Sequence, residues 1–136
     1  MIALDTNVLV RYLVEDDPEQ ARLAMTLIEA AIDRGERLFI PQIVLCETVW
    51  VLSYAYRFRR DEIVAILRQI RRAAQLEIEH PDDVRHAIES FADGKGDFAD
   101  YLIAERSVAN GCSSIATFDR VLHGDPRFVS PDRLQG

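Results

Sequence analysis

Asp5 and Asp119 each close a short apolar run, in "IALDTN" and "SIATFD". Both runs have the composition of buried strands. In a parallel α/β sheet the carboxyl ends of the strands line one edge, so the two carboxylates are expected to emerge together. Glu47 is placed differently. It interrupts "QIVLCETVWVLSYA", a helix apolar on nearly every side, and shares a face with Ile43, Trp50, Val51 and Tyr54. A buried or half-buried carboxylate is expected there, and such a group needs an arginine, a proton or a metal ion. Asp97 and Asp100, three apart in "GDFADYLIAERSVANG", open a further helix.

Each acid also has a purely structural reading. Asp5 can cap a helix from Thr6 onward, and Asp119 can cap or turn the chain before "RVLH". Asp97 suits an N-cap, with Asp100 in the first turn near the positive end of the helix dipole. Capping and ligation can coexist on one carboxylate. If Asp5, Glu47, Asp100 and Asp119 converge, one pair of unit charges 4 Å apart repels by roughly 4 kcal/mol at an effective dielectric of about 20. Either protons or a cation must then offset that repulsion. An oxygen-only donor set without Cys or His selects Mg2+ or Mn2+ over Zn2+. The chemistry implied is metal-assisted phosphodiester hydrolysis, with Thr6, Asn7 and Thr117 placed to orient waters or carboxylates. His80, His86 and His123 share no spacing, and hydrolysis by metal-activated water requires none of them.

The elements that must carry these residues alternate. The β-like runs "IAL", "LFI", "LEI", "SIA" and "RFV" are separated by helical patterns, which predicts a mostly parallel sheet. Asp17-Pro18 starts a helix that Gly35 ends, and Pro41 opens the helix of Glu47. Ile63, Ile66, Leu67, Ile70 and Ala74 make the next helix amphipathic. "HPDDVRHAIESFA" begins another at a Pro/Asp signal. "DGKGD" reads as a loop before a helix from about Phe98 to the Asn110-Gly111 stop.

The chain has 136 residues, 49% hydrophobic and 29% charged, the proportions of an ordinary globular domain. A single domain spanning 1–136 is expected, with no repeat or linker. The net charge of −7 argues against binding polyanions by overall attraction. Its distribution is uneven: residues 57–72, with Arg57, Arg59, Arg60, Arg68, Arg71 and Arg72, carry +4, leaving −11 elsewhere. Cys46 and Cys112 lack metal-ligand spacing and are expected to be small buried hydrophobes. The N-terminus has no basic n-region and Asp5 breaks the first apolar run, so the expected location is the cytoplasm. Residues 38–56 come closest to a membrane span, but Pro41, Gln42 and Glu47 argue for a strand and a helix.

Four segments in order, "ALDTNVLVRYL", "IPQIVLCETVWVL", "DFADYLIAERSVANGC" and "IATFDRVL", resemble the PIN-domain ribonucleases, most closely the VapC-type toxins. The resemblance covers essentially the whole chain. It implies a three-layer α/β/α sandwich around a mostly parallel sheet. It maps the family's four acids to Asp5, Glu47, Asp100 and Asp119, with Thr117 at the polar position before the last acid. Asp97 matches an auxiliary acid that varies in the family, and the "ADYLIA" context favours Asp100 over Asp97 as the main ligand. The resemblance further implies an endoribonuclease dependent on Mg2+ or Mn2+, a homodimer, and inhibition by a cognate antitoxin protein.

Two other classes compete. A phosphotransfer or phosphatase domain also uses an acidic pocket at strand ends, but normally with a Lys at a late strand end. Here the only lysine is Lys95 in the Gly-flanked loop, and Asn7 stands where dehalogenase-like phosphatases place a second Asp. A catalytically silent binding module would keep the fold and only pair with a partner. The arginine segment has two readings as well: Arg60, Arg68 and Arg71 as contacts to RNA phosphates, or a solvated face making ion pairs. Trp50, Tyr54, Tyr56 and Phe58 are read as core or interface before base stacking.

Overall fold

The computed structural model describes residues 1–135, which form two compact units, 1–81 and 82–135. In the first, β1 (Ile2–Ala3) leads through α1 (Thr6–Leu13) and α2 (Pro18–Asp33) to β2 (Leu38–Ile40). From there α3 (Gln42–Tyr54) and α4 (Arg60–Arg72) return the chain to β3 (Leu76–Ile78). The sheet order is β1-β2-β3 and both pairings are parallel, with Ala3 opposite Phe39 and Ile40 opposite Ile78. Leu38 and Ile40 are fully buried in the central strand, as an all-apolar strand between helix layers requires.

Local chemistry sets the helix boundaries. Asp17 accepts a hydrogen bond from the Gln20 amide at 3.1 Å, and Pro18 follows as the first helical residue of α2. Gly35 then takes a φ of 65°, a left-handed conformation that suits glycine, and turns the chain toward β2. α4 is amphipathic as expected, with Ile63, Val64, Leu67 and Ile70 buried and Ile66 half-buried, but it ends at Arg72, so Ala74 lies beyond it and is exposed.

The second unit contains α5 (Pro81–Asp93), α6 (Phe98–Ala109) and a parallel pair, β4 (Ile115–Ala116) and β5 (Phe128–Val129). The connection between β4 and β5 contains only a 3-10 turn at Arg120–Leu122. Phe91 packs edge-on to Phe98, with ring centroids 6.0 Å apart, and Tyr101 does the same to Phe128 at 6.4 Å. Such pairs typically contribute about 0.5–1.5 kcal/mol beyond their buried area. The architecture is thus mixed α/β, with parallel sheet and flanking helices, as the sequence predicts. Both cysteines depart from expectation: Cys46 is half-buried on α3, and Cys112 is exposed just after the α6 stop.

Candidate active site

In the first unit, Asp5 ends the extension of β1, where the Leu4 amide still bonds the Phe39 carbonyl at 2.9 Å. Asp5 occupies the N-cap position of α1, yet its carboxylate makes no capping hydrogen bond. The capping role of its side chain is therefore unfilled, and among the described residues both carboxylate oxygens are left for another ligand. Thr6, 7% exposed, donates its hydroxyl to Glu47 Oε1 at 3.3 Å. That bond ties the first residue of α1 to the middle of α3.

Glu47 itself is exposed, against expectation. The buried side of α3 is Val44, Leu45, Thr48, Val49 and Leu52. The face shared by Ile43, Glu47, Trp50 and Tyr54 points outward, with both aromatics 61% exposed and their rings tilted 40° at a centroid distance of 5.3 Å. A helix apolar all round gives no periodic signal to say which face turns inward, and the reading chose the wrong one. Trp50 and Tyr54 are accordingly not core residues.

An acid not singled out in the sequence also stands at this sheet edge. Glu79 follows β3 as Asp5 follows β1, and "LEIE" carries the same strand-then-acid signal. Its carboxylate is committed, accepting from the Gln42 amide at 2.9 Å, and so caps α3, whose own N-cap residue, Pro41, has no side chain able to do so.

In the second unit, Asp97 and Asp100 open α6, and the Asp97 amide donates to Asp100 Oδ2 at 2.9 Å. Asp100 is half-buried, and that burial, together with the charges of Asp97 and Asp119, holds its carboxyl above the usual range. Asp119 keeps one structural duty, accepting from the Val121 amide at 3.1 Å to cap the 3-10 turn. Thr117 accepts from the Asp119 amide at 3.0 Å, fixing the backbone that carries this acid. Asn7 lies exposed on α1.

The donors are all oxygens, and Asp100 lies in the negative field of Asp97 and Asp119. Both properties suit a hard divalent cation. Among the described residues no three His, Cys, Asp or Glu side chains gather closely enough to enclose a metal ion unaided. No helix among them is long and apolar enough to cross a membrane.

A parallel α/β fold with acids after β1, within α3, at the start of α6 and after β4 defines a class. The chain belongs to the PIN domain family, which matches residues 2–124 and so spans both structural units and every candidate acid. It is related to the VapC ribonuclease of Aquifex aeolicus (strain VF5), with 28% identity over 120 residues, covering 88% of each chain.

Proposed function

We propose that the chain is an endoribonuclease dependent on Mg2+ or Mn2+, in which Asp5, Glu47, Asp100 and Asp119 hold the cation and Asp97 assists. The observation that carries this reading is the PIN match over residues 2–124, which takes in all five acids. When bound, the cation would supply Lewis acidity, activating water and neutralising charge at the phosphoryl group. The chain's own groups do the positioning. Thr6 holds one oxygen of Glu47, leaving the other free. Thr117 fixes the backbone of Asp119, and the Asp97 amide holds one oxygen of Asp100. Burial first, then the charges of Asp97 and Asp119, raise the Asp100 carboxyl, and a bound cation would offset the second of these.

By likeness to the Aquifex VapC ribonuclease, the chain is further proposed to be the toxin of a toxin–antitoxin pair. It would work in the cytoplasm as a homodimer, and a cognate antitoxin protein would neutralise it. The test is cleavage of a mixed pool of labelled RNAs by the purified chain in Mg2+ or Mn2+, in excess EDTA, and by Asp5→Asn purified identically. Metal-dependent cutting that vanishes in the variant is expected. Equal cutting by the variant would sink the site. If the chain cuts no RNA and Mg2+ titration shows no binding, the silent-module reading takes over.

A further inference from the structure

The acidic chain must still bring a polyanion to its carboxylates, and the described structure offers cations for this close to Asp119. Lys95, the only lysine, projects from the loop between α5 and α6. It lines a cavity of about 740 Å³ together with Tyr101, Arg120 and Val121. Arg120, the residue after Asp119, also lines a second cavity of about 570 Å³ with Phe118, His123 and Arg133. Neither the Lys95 nor the Arg120 side chain has a hydrogen-bond or ion-pair partner among the described residues. Three acids share these walls: Asp125 is ion-paired with Arg127, Asp132 accepts from the Ser130 hydroxyl, and Asp93 lines the first cavity with Lys95.

Two further observations point to a nucleic acid chain. The Lys95 loop is built rather than loose. Tyr101, 3% exposed, accepts from the Gly96 amide at 3.0 Å, and a Cβ on Gly94 would lie 2.8 Å from the Ser90 carbonyl oxygen. Lys95 is therefore presented from a fixed backbone. Phe118, between Thr117 and Asp119, is 85% exposed, the most exposed of the large apolar side chains. An aromatic ring left in water beside unpaired cations fits a base next to its phosphate.

We propose that the second unit binds single-stranded RNA along the two cavities that share Arg120, with Lys95 and Arg120 on backbone phosphates and Phe118 stacked on an unpaired base. The proposal rests on the nuclease reading and names the substrate form at that same site. A paired base cannot present its face to Phe118, so duplex RNA lacks the stacking contact.

The experiment measures binding of a short labelled single-stranded RNA by fluorescence anisotropy across a salt series. It uses the full chain carrying Asp5→Asn so that no cleavage intervenes. Lys95→Gln and Arg120→Gln should each weaken binding several-fold and make the salt slope shallower by about 0.7. Phe118→Leu should weaken binding about 5-fold or more at unchanged slope, and should leave binding of a duplex of the same sequence unaltered. All three positions are exposed, so the fold is kept. A parent that binds RNA while all three variants match it in affinity and slope overturns the track and leaves the nuclease reading standing. A parent that binds no single-stranded RNA at low salt overturns the track, and the cleavage assay of the unsubstituted chain then decides the nuclease reading separately.

Discussion

The hydroxyl of Thr6 donates to the carboxylate of Glu47 across 3.3 Å, joining residues that lie 41 positions apart in the chain. Thr6 is buried and Glu47 is exposed, so the buried partner sets the rotamer of the exposed one. Thr6→Val keeps the shape and removes the donor. The expected result is a loss of about 10-fold in Mg2+ affinity, read by calorimetric titration, with thermal stability little changed. Thr6→Ser should restore most of that affinity. Unchanged Mg2+ affinity in Thr6→Val would show that the bond positions nothing.

Asp100 gives a pH dependence of defined sign. Its folded carboxyl is raised chiefly by burial, then by Asp97 and Asp119, so the folded state holds this proton more tightly than the unfolded chain does. The stability it contributes is present below the ordinary aspartate range and is lost as pH rises through the raised folded value. Asp100→Asn should abolish that decline and make the metal-free protein more stable than wild type at neutral pH. It should also lose the stabilisation that Mg2+ confers on wild type. Thermal melts in EDTA and in Mg2+ from acid to neutral pH test both halves.

Arg127 acts in the opposite direction. Its guanidinium bonds Asp125 through Nε at 3.0 Å and Nη2 at 2.7 Å, and reaches Glu105 at 2.7 Å through Nη1. Asp125 is held below the usual carboxylate range chiefly by that side-chain bond, so its stabilising effect is present at neutral pH and fades as pH falls through the lowered value. Arg127→Met should lower stability on the order of 1–3 kcal/mol at neutral pH, because Glu105 and Asp125 lose their charged donor. The difference from wild type should shrink in acid. Urea unfolding at neutral and acid pH would show it, and a difference independent of pH would refute the assignment.

Thr48 is fully buried, and its hydroxyl has no hydrogen-bond partner among the described residues. Thr48→Val replaces an unsatisfied polar atom with a methyl group of similar size. It is expected to stabilise the chain by about 1 kcal/mol, seen as a rise in melting temperature. A fall would mean that the hydroxyl is satisfied in solution.

What the sequence made legible is what local chemistry decides. Pro18 and Pro41 opened helices, Gly35 closed one, and the apolar runs before Asp5 and Asp119 became short strands, Ile2–Ala3 and Ile115–Ala116. The orientation of α3 was not legible: every side of the helix is apolar, and only the assembled sheet selects Leu45 and Leu52 for burial over Trp50 and Tyr54. The duty of Glu79 was hidden for a related reason, since its partner amide on Gln42 comes near only when β3 lies beside β2. The clasp of Arg127 on Asp125 and Glu105 likewise joins three residues with no shared periodicity. Family resemblance carried the four acids together, while the exposure of Phe118, inside "IATFDRVL", and the cavity beside Lys95 depend on the assembled fold.

The two glycines around Lys95 restrict how this surface can diverge. Gly94 and Gly96 have no room for a larger residue, because a Cβ on Gly94 would press on the Ser90 backbone and one on Gly96 would press on Leu122 and Tyr101. The side chain between them faces no such limit. Substitution in this loop is therefore channelled into one position, where a descendant can exchange lysine for arginine, glutamine or an acid and retune its attraction for a ligand while the backbone stays in place.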